Sequence, residues 1–365
     1  MPKLNFYSGP AILPETVKQQ AIAAIHNFAG TGLSILEISH RAKPFVEVME
    51  EARALTRKLM GLNDEYSVLF LQGGASSQFY MIPYNLLRKN ETAIYFDTGT
   101  WAHGALIEAQ LFGKVHVACS SKSSNYNHIP KEWDLGAERP RYAHITTNNT
   151  IYGTQWSISE LNRLKAALPK ETLLVADMSS DIFSRQIDYS AFDLIYAGAQ
   201  KNMGIAGATM VAVRKSILRE NVLPMPKMVD YKVHIENDSM KNTPSVFAVY
   251  VSWLTLKWIA AQGIENLSEA NERKAMALYH VIDQSGIFKG TVNKADRSMM
   301  NVCFVSGDAA VDQAFLAFAK QRDMVGLEGH RSVGGFRASI YNAMPESGVQ
   351  QLIAAIRDFE KEVRL

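Results

Sequence analysis

"TLLVADMSSDIFSRQIDYSAFDLIYAGAQKN", residues 172–202, contains two short apolar runs, and each one ends on a charge. Residues 173–176 give way to Asp177, and residues 194–199 lead through Gln200 to Lys201. Short apolar runs bounded by turn residues read as buried strands. A strand with no polar face is covered on both sides, which points to a largely parallel sheet. Ligands of such sheets sit outside the carboxyl ends of the strands. Asp177 and Lys201, 24 positions apart, therefore stand where chemistry is expected. Each also has a plainer reading. An aspartate after a strand can cap a helix or form a turn, and a lysine among glycines can be a solvated charge.

The same pattern extends in both directions. SVLFL (67–71), AIYF (93–96), KVHVAC (114–119), YAHIT (142–146) and ATMVAV (208–213) are further strand-like runs. Between them lie helical patterns. After Pro44, apolar residues fall at Phe45, Val48, Met49, Ala52, Leu55 and Leu59, with Gly61 as the stop. The stretch after QGGASSQ is also helical in pattern, and Pro83 inside it predicts a kink or an early end. WAHGALIEAQLFG (101–113) reads as a helix opened by Trp101.

From about Ser252 the pattern changes to long helices, the strand-like MNVCFV and RASIY, and a final amphipathic helix from Glu346. The expected fold is α/β: a large domain over 16–255 with a mostly parallel central sheet covered by helices. A smaller α+β domain takes residues 1–15 and 256–365. No glycine- or serine-rich linker separates them, so the two are expected to pack firmly.

Bulk composition narrows the function classes. Hydrophobic residues make up 47%, enough for a substantial core and too many for disorder. Basic and acidic residues number 38 and 36, so no charge excess favours nucleic acid. The two cysteines, Cys119 and Cys303, form neither a disulfide framework nor a metal-type spacing, and they fit a reducing cytoplasm. No signal peptide and no transmembrane span is expected.

Four groups at strand ends belong together chemically. Lys201 is an amine, Asp177 a carboxylate and Trp101 an aromatic plate. GGASSQ (73–78), between strand and helix, offers backbone N–H groups to an anion. A pyridoxal phosphate site needs all four: a lysine for the imine, an acid for the ring nitrogen, a stacking ring and a phosphate cradle. GGASSQ matches neither GxxxxGK nor GxGxxG, which sets nucleotide binding aside.

In order along the chain stand FYSGPAILPE, ISHR, GGASSQF, DMSSDIFSRQID, YAGAQKN, NTPSVFAVY, SMMNVCF and GHRSVGGFRASIYNAM. With these motifs the sequence resembles the phosphoserine aminotransferase family, in the class V aminotransferase group of fold-type I pyridoxal phosphate enzymes. The resemblance implies that Lys201 is the Schiff-base lysine and Asp177 the partner of the pyridinium nitrogen. It also implies that Trp101 stacks on the ring and that Thr150 meets its hydroxyl. Ala75, Ser76 and Gln200 would hold the phosphate, and Asn242 and Thr243 would reach the phosphate of a neighbouring subunit, so that a homodimer shares its sites. Some members carry GGGRGQ in the glycine-rich loop, whereas this chain has Ser76 in place of the arginine.

Two His-Arg pairs, His40-Arg41 and His330-Arg331, and Arg337 lie in Gly- or Ser-flanked contexts. Any one pair alone reads as a surface cluster. Arginine forks match carboxylate and phosphate geometry. By the resemblance, the two pairs take the phosphate of phosphoserine or the side-chain carboxylate of glutamate, and Arg337 takes the α-carboxylate. The implied reaction converts 3-phosphohydroxypyruvate and glutamate to phosphoserine and 2-oxoglutarate. A phosphorylated keto acid one carbon longer, on the route to vitamin B6, is a second implied substrate. Three other readings stay open. A cysteine desulfurase needs a mobile reactive cysteine, and both cysteines here sit in strand-like runs. A serine–glyoxylate enzyme has no need of two phosphate-directed pairs. A non-catalytic relative has no need of the lysine, the aspartate and the tryptophan together.

Overall fold

The computed structural model describes residues 3–136, 139–218, 225–331 and 333–363. The chain opens on β1 (Leu4–Asn5), followed by α1 (Glu15–His26) and α2 (Lys43–Leu59). Strands and helices then alternate: β2 (Tyr66–Leu71), α3 (Gly74–Leu86), β3 (Thr92–Asp97), α4 (Thr100–Ala109), β4 (Lys114–Ser120) and β5 (Tyr142–Thr146). A small hairpin, β6 (Asn148–Asn149) and β7 (Thr154–Gln155), precedes α5 (Ile158–Ala167), β8 (Leu173–Asp177), β9 (Leu194–Gly198) and β10 (Thr209–Arg214). Next come α6 (Tyr231–Glu236), α7 (Val246–Gln262) and α8 (Ile264–Gln284). The chain finishes with β11 (Lys289–Gly290), β12 (Asn301–Val305), α9 (Ala309–Gln321), β13 (Met324–Val325), β14 (Phe336–Ser339) and α10 (Glu346–Val363).

Seven strands form the central sheet in the order β2-β10-β9-β8-β5-β3-β4. The pairings β9-β8, β8-β5, β5-β3 and β3-β4 are parallel, and β10 runs antiparallel to both of its neighbours. A parallel return needs about a dozen or more residues to cross over. The short link from Gly198 to Thr209 does not supply them, so β10 folds back as an antiparallel neighbour. Both faces of the sheet are covered. On β2, Val68 and Phe70 join one core while Leu69 and Leu71 join the other. That alternation between two apolar environments explains why the strands read as unbroken apolar runs.

The smaller unit packs α8, α9 and α10 on the antiparallel sheet β11-β12-β14. β1 pairs in parallel with β13, and Phe6 is fully buried in this second core, which ties the N-terminus to it. The expected division at residue 255 falls inside α7. This helix is apolar nearly all round and packs Leu254, Leu256 and Ile259 into the large core, which extends to Leu267. Ala275 and Leu278 of α8 belong to the small core, so the cores change over within α8. Helix α3 continues one turn beyond Pro83 to Leu86, where the Leu87 N–H closes on the Pro83 carbonyl. Among the described residues no helix is long and apolar enough to cross a membrane.

Candidate active site

The carboxyl ends of β3, β5, β8 and β9 open toward the second unit, and a cavity of about 240 Å³ lies between them. Asp177 is the last residue of β8 and is buried. Its Oδ1 accepts from the Ser179 backbone N–H at 2.9 Å. Lys201 follows β9 in a tight turn, with the Met203 N–H bonded to the Ala199 carbonyl. Its Nζ donates to Thr150 Oγ1 at 2.8 Å. The N-terminal segment straps across this turn, and the Ala11 N–H donates to the Gln200 carbonyl at 2.9 Å. Gly9, with φ +139, allows the approach: a Cβ there would lie 3.2 Å from Gln200 Cγ and 3.3 Å from Lys201 Cγ.

The anion cradle is the start of α3. Gly73 at its N-cap has φ +100, and no side chain caps the helix. The backbone N–H groups of its first turn therefore keep their donors for a ligand. Trp101, second residue of α4, is 40% exposed and forms part of the cavity wall. From the small unit, Arg337 on β14 is 9% exposed and reaches in. Its Nη2 donates to Ser8 Oγ at 2.8 Å and its Nη1 to the Thr150 carbonyl at 3.4 Å, while its buried Nε has no partner.

The cavity thus brings together Ala75, Ser76, Trp101, Thr150, Asp177, Gln200, Lys201, His330 and Arg337. His40, Arg41, Arg331, Asn242 and Thr243 do not line it. His40 and Arg41 lie in the turn before α2, with Arg41 exposed. Arg331 is exposed beside His330. Asn242 and Thr243 lie between α6 and α7, where the Thr243 carbonyl accepts from Gln72 Nε2 at 2.8 Å. Ser8, Phe79, Thr146, Asn148, Ser179 and Ser180 are among the lining residues that the sequence motifs do not single out. Thr146 closes a strand-like run, and Asn148, Ser179 and Ser180 stand within four residues of the end of one, so the strand-end rule carries a signal for them. Ser8 arrives from the far end of the chain, and no local pattern marks it.

Burial sets the electrostatics. It brings the Lys201 ammonium down from the ordinary 10.5 to about 8. Arg337 pushes the same way, while Asp177 and Asp181 oppose it. Burial raises the Asp177 carboxyl above its ordinary value, against the lowering effects of Ser179 and Lys201. His330 is lowered by burial and by Arg337 and Arg331. A buried carboxyl with too little positive charge nearby is suited to a cationic partner. An uncapped helix start is suited to a phosphate, and an indole face to a flat ring. These residues fit pyridoxal phosphate.

Other features carry no comparable chemistry. A groove of about 280 Å³ near α2 holds Arg53 and Arg57, but these are ion-paired to Asp238 and Asp64. Cys303 is buried and burial pushes Cys119 up to about 12, so neither thiol is poised as a nucleophile. Among the described residues no group of three or more His, Cys, Asp or Glu side chains could hold a metal ion.

Comparison with known proteins gives a consistent picture. Residues 3–352 match the family model for aminotransferase class V. The chain is 52% identical over 366 residues to a phosphoserine aminotransferase of Flavobacterium johnsoniae, covering 100% of each sequence. It superposes with a TM-score of 0.93 on the phosphoserine aminotransferase of Bacillus circulans subsp. alkalophilus, at 43% identity and 99% coverage of both chains. A PLP-bound phosphoserine aminotransferase from Trichomonas vaginalis gives a TM-score of 0.91 at 34% identity, covering 97% of this chain and 99% of that one.

Proposed function

As the chain belongs to the class V aminotransferase family, we propose that it is a pyridoxal phosphate-dependent aminotransferase that moves an amino group between glutamate and phosphoserine, with 2-oxoglutarate and 3-phosphohydroxypyruvate as the keto acids. The observation that carries this reading is the convergence of Lys201, Asp177 and the uncapped start of α3 on one cavity beside Arg337. Pyridoxal phosphate, when bound, supplies an electron-withdrawing ring that stabilises negative charge developing at the substrate Cα.

The chain's residues supply the rest. Lys201, with its pKa brought down to about 8, has a neutral fraction near neutral pH. It removes the Cα proton as a general base and returns a proton as the acid. The Thr150 hydroxyl, which already accepts from Nζ, orients the amine. Asp177 holds positive charge on the ring nitrogen, and Trp101 covers the ring and excludes water. Ala75, Ser76 and Gln200 hold the cofactor phosphate. Arg337 binds the α-carboxylate, and its unpartnered Nε is a spare donor for that purpose.

His40, Arg41, Asn242 and Thr243 lie outside the cavity of their own chain, and a second copy is their proposed destination. In this reading the active form is a homodimer with shared sites: Asn242 and Thr243 complete the phosphate cradle, and His40 and Arg41 join His330 and Arg331 at the substrate's distal anion. A reducing, cytoplasmic setting agrees with two unpaired cysteines.

The decisive experiment compares phosphoserine with serine as amino donors to 2-oxoglutarate. Phosphoserine should have the higher kcat/KM by about 10³-fold or more, since serine leaves the guanidinium and imidazole donors of the two His-Arg pairs without an anion to bind. Equal turnover would overturn the substrate assignment. Borohydride reduction followed by peptide mapping should leave the cofactor on the peptide containing Lys201. Co-expressed Arg41→Ala and Lys201→Ala chains should recover activity as a mixed dimer, whereas each variant alone has little or none.

A further inference from the structure

Behind Asp177 lies a row of buried polar rings that the mechanism has not used. Asp177 on β8 is in register with Tyr196 on β9, and His144 on β5 with Tyr95 on β3. Tyr196 is 0% exposed, and His144 and Tyr95 1% each. His144 Nε2 and the Tyr196 hydroxyl are 2.9 Å apart. The His144 ring stacks on Tyr95 with centroids 4.9 Å apart and planes 21° apart, and the Tyr95 hydroxyl meets that of Tyr142 at 2.8 Å. An apolar layer between sheet and helix has no packing need for an imidazole and three phenols.

Hydrogen-bond bookkeeping gives the row a direction. A neutral imidazole carries one N–H and one lone pair. Burial pushes His144 down to about 3, so it is neutral. The Tyr196 phenol has one proton and is hydrogen-bonded to the Asp177 carboxylate, so the 2.9 Å contact with His144 is filled by a proton on Nε2, which donates to the Tyr196 oxygen. The Tyr196 proton is then free to turn toward the neighbouring carboxylate, which only accepts when ionised. The opposite arrangement would aim phenol lone pairs at the Asp177 oxygens.

We propose that Tyr196 and His144 are positioning residues for Asp177: the His144 Nε2–H fixes the Tyr196 hydroxyl, whose proton faces the Asp177 carboxylate and keeps it ionised toward a cationic ring nitrogen. This rests on the reading of Asp177 as the partner of that nitrogen. The charged and titratable groups facing the row are Lys201 and Asp181 beside Asp177, Arg337 beside Lys201, and Tyr95 and Tyr231 beside Tyr196.

The test has two parts. In unloaded, histidine-¹⁵N-labelled wild-type protein, His144 should appear as the neutral Nε2–H tautomer at pH 5. An Nδ1–H tautomer, or titration near 6.5, overturns the proposal without any variant having to fold. Holoenzyme carrying ring-¹⁵N pyridoxal phosphate then compares wild type with Tyr196→Phe and His144→Gln. Tyr196→Phe should shift the ring-nitrogen signal toward the unprotonated position and lower kcat by about 10–100-fold, the loss typical of an outer hydrogen-bond partner. KM for glutamate should stay within about twofold, a split that general loosening of the site would not produce. His144→Gln, whose amide can still donate, should fall between. A wild-type nitrogen signal and kcat in Tyr196→Phe overturns the proposal alone. An unchanged signal in Asp177→Asn would overturn the underlying reading of Asp177.

Discussion

Lys201 and Asp177 are each destabilised in their charged forms, and function depends on that. The folded pKa of Lys201 is about 8 against an ordinary 10.5. The unfolded chain therefore holds more protons between those values, and stability rises with pH across that window. Below about pH 8 the full cost of burying the ammonium is present, about 3 kcal/mol by linkage. Lys201→Met should thus stabilise the unloaded protein at pH 7 while abolishing turnover, as read by urea midpoints and assay. In the unloaded wild type, labelling of Lys201 by an amine-specific reagent should have its midpoint near pH 8, about 2 units below that of exposed lysines. Asp177 has a raised folded pKa, so its ionised form opposes folding at neutral pH. Asp177→Asn should raise the Tm of the unloaded protein and lower turnover by about a thousandfold. Both residues were legible because charge directly after an apolar run is conspicuous. Ser8 and the His144–Tyr196 pair were not, since their significance lies in contacts between distant segments.

At the scale of elements, the glycine-rich start of α3 tolerates little change. A Cβ on Gly73 would lie 2.7 Å from Ser77 Oγ and 2.8 Å from its Cβ, at a φ of +100. Gly73→Ala should cost about 1–3 kcal/mol and weaken cofactor retention, measured by thermal unfolding and by dialysis of the holoenzyme. The helix would survive, because α3 also packs Phe79, Met81 and Ile82 into the core. Strand and helix types were readable from the period of their apolar residues. The antiparallel turn of β10 was not, because direction depends on connection length and partner. Nor was the end of the large core, since α7 is apolar nearly all round and its sequence does not show which face meets which domain.

At the scale of the whole molecule, a buried amide network joins the two units beneath the site. Asn148 Nδ2 donates to Ser180 Oγ and to Asn301 Oδ1, both at 2.8 Å. Asn301 Nδ2 donates in turn to Ser339 Oγ at 3.0 Å and to the Tyr341 hydroxyl at 3.2 Å, and that hydroxyl donates to the Ser8 carbonyl. The network therefore sets where Ser8, and with it Arg337, stands relative to Lys201. Asn301→Leu leaves several buried partners unmade and should cost about 2–4 kcal/mol. It should also raise KM for glutamate more than it lowers kcat, which steady-state kinetics would show.

The sequence by itself determined the α/β class, the strands of the central sheet, and Asp177 and Lys201 at two of their carboxyl ends. These follow from local periodicity and from the chemistry of single side chains, which short windows retain. Tertiary structure alone decided which of those residues share a cavity. It brought Ser8 and Arg337 together from opposite ends of the chain and left His40, Arg41, Asn242 and Thr243 outside. It also moved the Lys201 pKa, because desolvation is a property of everything packed around a group and not of its neighbours along the chain.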